Sequence, residues 1–278
     1  MLQKYDKVKP TSLLALAAAG GLLFAQAAAA DNAVCDATNG YEANLAEYVA
    51  EATTCIEQST QLATDVEASL ASQLSTARDA LGLAALDRRT SLDQAARAHA
   101  LDMASRDYAS HSDLEGRDHL YRIRAFDRSM LVGATGANVM ATKSDADATA
   151  LFTAMGQDVQ NAQNIVFEGF TDFGVGVAEA DGTTYTVVLF ASREGELEEA
   201  LPLTLDGSAA ITAQFTRDLS EAVGWSLSDL GSGEQFARGT MLRIRDARLS
   251  EVETASLDIK VSEQADTYTV KGPLISAR

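Results

Sequence analysis

The run Phe170-Thr171-Asp172-Phe173-Gly174-Val175-Gly176-Val177-Ala178, followed by Asp181-Gly182 and then Thr184-Tyr185-Thr186-Val187-Val188-Leu189-Phe190, decides how this chain is read. Two apolar, β-forming stretches flank an Asp-Gly pair, which predicts an antiparallel hairpin. Upstream the period changes. Leu92, Ala95, Ala96, His99 and Met103 fall at helical spacing after Ser91, read as an N-cap, and Ala148, Leu151, Phe152, Met155 and Val159 form a second stripe after Ser144 or Asp145. Helices followed by a hairpin predict an α+β fold.

Both flanks have a different texture. Lys4, Lys7 and Lys9 precede an apolar run from Leu13 to Phe24 and an alanine-rich stretch leading to Asp31, so residues 1–30 read as a signal peptide cleaved between Ala28 and Ala30. The run is too short for a membrane span, which leaves no transmembrane segment after cleavage. Residues 31–65 carry seven acids and no Lys or Arg, and Leu45, Tyr48 and Val49 give this acidic leader a helix. Its Cys35 and Cys55 are the only cysteines of the chain. In an oxidising compartment such a pair predicts a disulfide, worth about 3 kcal/mol through loop closure.

After Ala191 an acidic connector, Arg193 to Glu199, leads to short β-rich runs at 241–245, 257–261 and 267–270. Residues 196–278 therefore read as a small, mainly β C-terminal domain or extension with Trp225 in its core, and residues 66–195 as the central α+β domain.

The chain has 278 residues, 46% of them hydrophobic, enough for a sizeable core. Its 22 Lys+Arg against 40 Asp+Glu give a net charge of −18, which becomes −20 without residues 1–30. A surface of that sign repels phosphate, so nucleic acid and anionic lipid are disfavoured partners.

The central segment carries an ordered set of motifs. These are Gly82-Leu83, Leu92 with Ala95-Ala96, His99-Ala100, Ser110-His111, Gly116, Arg122, Asn138, Asn164-Ile165, and Gly174-Val175-Gly176-Val177-Ala178 with Phe190-Ala191. In this order, over about residues 66–192, they resemble the bacterial branch of the CAP superfamily of cysteine-rich secretory proteins, antigen 5 and pathogenesis-related proteins. The resemblance implies an α-β-α sandwich and a secreted or periplasmic protein. It also implies a cleft with two histidines and one or two glutamates, a set able to hold Zn²⁺.

Only part of that cleft is kept. Ser110-His111 matches the first histidine, whereas the Gly-Glu-Asn motif reads Gly136-Ala137-Asn138 and the second histidine position is Asn161. One imidazole without a matching carboxylate leaves no metal ligand set, so no cofactor is expected. His99 reads as a core histidine and His119 as a surface one. The expected site residues are His111, Asn138 and Asn161, which line a remodelled cleft.

The chain thus reads as an exported, non-catalytic CAP-domain protein that binds a small molecule, lipid or protein partner through that cleft or its acidic surface. One alternative is a hydrolase of peptide or cell-envelope material in which His111 is catalytic and Glu115 or Glu168 shares its cleft. A second is lipid or sterol binding, which requires an apolar groove.

Overall fold

Helix caps and apolar spacing set the first elements. Asn44 accepts from the backbone N–H groups of Ala46 and Glu47 and opens α1 (Leu45–Gln58). The Cys35–Cys55 disulfide ties the leader to that helix. Then come α2 (Thr64–Ala80), β1 (Asp87–Arg88), α3 (Thr90–Arg106), α4 (His119–Phe126) and β2 (Met130–Lys143). They are followed by α5 (Ala148–Gln157), α6 (Val159–Val166), β3 (Asp172–Ala180) and β4 (Thr183–Leu197). The C-terminal part is mainly strand, with one 3-10 turn at Leu249–Glu251: β5 (Ser208–Ala210), β6 (Ala213–Phe215), β7 (Ser220–Asp229), β8 (Gln235–Gly239), β9 (Arg243–Arg245), β10 (Thr254–Glu263) and β11 (Asp266–Ser276). This computed structural model describes residue 35 and residues 37–143, 147–205, 207–245 and 249–276. The signal-peptide reading of residues 1–30 and the caps Ser144 and Asp145 fall outside these residues. No described helix is long and apolar enough to cross a membrane.

The fold is α+β, with a large sheet ordered β1-β3-β4-β2-β11-β10-β7-β8 and β6 paired to β4. The Asp-Gly hairpin is present, and Asp181 (φ 48°) and Gly182 (φ 72°) both take the left-handed conformation that a two-residue turn needs. Side chains alternate across β4. Val187, Leu189 and Ala191 face a core built with α1, α3 and α4, while Val188 and Phe190 face one built with α2, α5 and α6.

The Gly-Val-Gly-Val motif sets the spacing of these layers. A Cβ on Gly174 would lie 2.2 Å from the carbonyl carbon of Leu92, and one on Gly176 would lie 2.3 Å from that of Ala96. The bare strand lets α3 rest directly on β3, while Val175 and Val177 fill the opposite core. Past its short pairing with β1, β3 is an edge whose N–H groups need acceptors. Asp93 takes the Val175 N–H at 2.8 Å and Glu67 takes the Val177 N–H at 3.2 Å.

Three local readings are corrected. Ser91 is not the cap of α3; its hydroxyl donates to Asp127 at 2.5 Å, and the helix starts one residue earlier. The second stripe is two helices, because Asp147 caps α5 and Asp158 caps α6 by accepting from Asn161 N–H. That break leaves Val159 exposed, outside the stripe. The acidic connector continues β4 through Leu197, since Gly195 to Leu197 pair with β6 and Glu196 takes an ion pair from Arg89 at 2.5 Å.

The C-terminal strands join the central sheet through β2 and β11, at Val132 opposite Lys271. With Leu131 of β2 and Leu197 of β4 they enclose a second apolar cluster that includes Trp225, whose indole N–H donates to Met241 O at 2.7 Å. A buried guanidinium on α4 and a half-buried one just after it fasten the helix to this part. Arg124 donates to Gly272 O and Leu257 O, and Arg128 to Leu201 O and Leu274 O. Burial pulls both pKa values down to about 10, which leaves both cations charged at neutral pH.

Candidate functional site

The connection between α3 and α4 carries Ser110 and His111 and is held by its backbone. The Ser110 carbonyl accepts from His99 Nε2 at 2.7 Å, and the His111 carbonyl accepts from Arg122 Nη2 at 2.6 Å. The Ser110 hydroxyl accepts from the Ser112 N–H at 3.3 Å, and the His111 imidazole is exposed.

Asn138 and Asn161 meet on the other side of the sheet. Asn138 stands opposite Val188 on the face covered by α5 and α6, where its Nδ2 donates to Asn161 O at 3.1 Å and its Oδ1 accepts from Asn164 Nδ2 at 2.8 Å. Both asparagines are buried, and these amide bonds clamp α6 onto β2. Of the three expected site residues, the structure therefore brings two together. It sets His111 on the connection that packs against the opposite face. Ala137, the position of the family's glutamate, is 5% exposed among the apolar side chains of the α1/α3/α4 core.

The two carboxylates expected near His111 go elsewhere. Glu168 is exposed and exerts its charge on Arg78. Residues 111–115 form bends and a turn with no helix to set His111 and Glu115 on one face, and Glu115 pairs with Arg106 at 2.7 Å. Arg106 also binds Asp102 at 2.7 Å, and Arg117 binds Asp113 at 2.7 Å. Carboxylate oxygens of Asp102, Asp113 and Glu115 lie within 4.8 Å of one another, but two guanidiniums spread among them make this an ion-pair network. Burial raises the Asp102 pKa, opposed by hydrogen bonds from Arg106 and Tyr108, while the Arg106 hydrogen bond holds Glu115 below the usual carboxylate range. The leader closes over this network. Gly40 (φ 80°) has no room for a Cβ, which would meet Glu115 Oε1 at 2.7 Å, and Arg117 donates to the carbonyls of Tyr41 and Glu42.

Sequence reading did not find this network, although the i, i+4 spacings of Asp102–Arg106 and Asp113–Arg117 signal it. Beside it a groove of about 470 Å³ is lined by Ala43, Glu115 to Asp118, Tyr121, Asp229 to Gly231, Glu253 and Thr254. The leader, the central domain and the C-terminal strands all contribute to it.

His99 is the buried histidine of this region. Its Nε2 must carry the hydrogen, because a carbonyl only accepts, so Nδ1 is an unprotonated nitrogen without a hydrogen-bond partner among the described residues. Burial, with Arg122 nearby, holds its pKa well below 6.5, and burial also lowers that of His119. The unfolded chain therefore binds protons at these sites first. Stability contributed by the neutral rings is present above pH 6.5 and is lost as pH falls below it, toward a limiting slope of about 1.4 kcal/mol per pH unit for His99. Urea unfolding between pH 7 and pH 5.5 should show the loss steepening as pH falls, and His99→Gln, which keeps a donor for Ser110 O, should make it shallower, most clearly at the acid end. An unchanged slope in the variant would rule out His99 as a source.

Residues 72–191 match the family model described as CAP, cysteine-rich secretory protein family. Among solved structures the chain is similar to an outer surface protein from Borrelia burgdorferi, at 19% identity and TM-score 0.42 over 46% of this chain and 93% of that one. It is also similar to an extracellular protein containing a SCP domain from Bacillus anthracis str. Ames, at 21% identity and TM-score 0.39 over 47% of this chain and 41% of that one. No curated protein matches the chain.

Proposed function

We propose that the protein is an exported, non-catalytic binding protein on a CAP scaffold that has lost its reactive groups, a reading that proceeds from the match of residues 72–191 to the CAP family model. The observation that carries this reading is the burial of Ala137 in apolar surroundings, at the position of the family's carboxylate. The residues present do not fit the family's zinc. An amide replaces the second imidazole, Asn138 and Asn161 are engaged in holding α6, and His111 is on another face. No step of acid–base or metal chemistry is assigned to them.

Export is supported by the Cys35–Cys55 disulfide, which persists in oxidising compartments, together with the signal-like residues 1–30. Lipid carriage finds little support. The apolar space between α2, α5 and the sheet, lined by Leu70, Phe152, Met155 and Phe190, holds about 10 Å³, room for one water at most.

Calorimetric titration of the mature chain with Zn²⁺, paired with hydrolysis assays on peptides and cell-envelope polymer, tests the reading. The expected outcome is no saturable zinc site and no turnover. Tight zinc binding, or hydrolysis, that disappears in His111→Ala overturns it.

A further inference from the structure

The groove at the junction of leader, central domain and C-terminal strands has a charge its own residues do not balance. Four of its lining side chains are carboxylates: Glu115, Asp118, Asp229 and Glu253. Its lining cation, Arg117, is fully committed. Nε goes to Asp113, Nη1 to Glu42 O, Nη2 to Tyr41 O and Glu115, and the guanidinium plane lies 4.4 Å from the Tyr48 ring centroid. Glu253 forms no ion pair among the described residues, is exposed, and acts on the Tyr121 phenol across the groove. Between the carboxylates lie Ala43, Gly116, Leu230, Gly231 and the half-buried Tyr121 ring.

We propose that this groove is the docking site for a basic segment of a protein partner, taken through its lysine and arginine side chains. The assignment rests on the binding reading above and names its partner. The volume, about 470 Å³, is in the range of ligand sites. Carboxylates set around an apolar and aromatic floor suit long cationic side chains, whose methylene stems lie on apolar surface while the heads reach acceptors and a ring face. Carboxylates come from three separate segments of the chain, so an extended peptide that presents several cations engages more of the groove than one small amine does. The net charge of −18 adds attraction over a longer range.

Fluorescence anisotropy of the full mature chain with a labelled nonapeptide alternating Arg or Lys with Gly tests it, at low and at moderate salt. Saturable one-to-one binding is expected, weakened by salt and reduced about tenfold or more in Glu253→Lys. Glu179→Lys, the same charge change on the β3–β4 hairpin outside the groove, should leave the affinity within about twofold. Thermal unfolding of both variants checks that they fold alike. Absence of saturable binding overturns the proposal. So does an equal loss in Glu179→Lys, which would mean diffuse attraction, or competition by spermidine at the same concentration as the peptide, which would mean a small-amine site. A missing peptide signal with no zinc binding and no hydrolysis removes this partner alone, whereas zinc binding or turnover removes the reading beneath it.

Discussion

Gly176→Val is expected to destabilise the protein by about 3 kcal/mol or more, read as a lowered urea midpoint at unchanged slope. An added Cβ would stand 2.3 Å from both the Ala96 carbonyl carbon and the Arg97 amide nitrogen. These are backbone atoms of α3, so no rotamer change relieves the overlap and the helix must lift from β3. Lifting it separates Leu92, Ala95, Ala96 and Met103 from the sheet, all of them fully buried, and each costs transfer and cavity energy. Gly182→Ala is the contrasting case. Its positive φ strains alanine, but nothing lies within 4 Å of the added atom, so the expected loss is smaller, about 1 kcal/mol. A Gly176→Val loss below that of Gly182→Ala would refute direct helix-on-strand contact as the role of this glycine.

Glu67→Ala is expected to cost about 3–5 kcal/mol, because it strips a fully buried carboxylate from two cations and one amide. Arg97 donates to Glu67 at 3.0 and 2.5 Å, Arg88 lies 3.7 Å away, and the Val177 N–H has Glu67 Oε1 as its acceptor. The alanine variant leaves the partly exposed Arg97 without its partner and a buried strand-edge N–H without an acceptor, and the second is the costlier loss. Glu67→Gln keeps an oxygen for Val177 and removes only the charge, so its loss should be clearly smaller. Equal losses in urea unfolding would show that the edge N–H contributes nothing and that the ion pair is the whole effect.

Periodicity found the helices and part of what they bury. Leu92, Ala95, Ala96, His99 and Met103 are all buried in α3, together with Ala98, Ala100 and Leu101 on its other sides, and Leu45 and Tyr48 are buried in α1. It failed at Asp158, where a cap splits one apparent stripe into α5 and α6. The deciding bond there, from Asn161 N–H to the Asp158 side chain, is a choice between two local options that apolar spacing does not encode. The candidate site was legible in part. The departures at Ala137 and Asn161 are visible in the chain, whereas the separation of His111 from Asn138 follows from which face of β2 each neighbour packs on.

The sequence by itself determined the α+β class, the Asp-Gly hairpin, the cysteine pair and the CAP motif order, since each depends on residues close along the chain or on their order. Tertiary structure alone decided where acidic side chains from separate segments gather. Ala43, Glu115, Tyr121, Asp229 and Glu253 share one groove because Arg117 holds the leader to the central domain, and Arg124 and Arg128 hold the C-terminal strands to α4. Those bonds run from side chains to backbone carbonyls, which every residue has. No pattern of residue types announces them, and they exist only once the chain has folded.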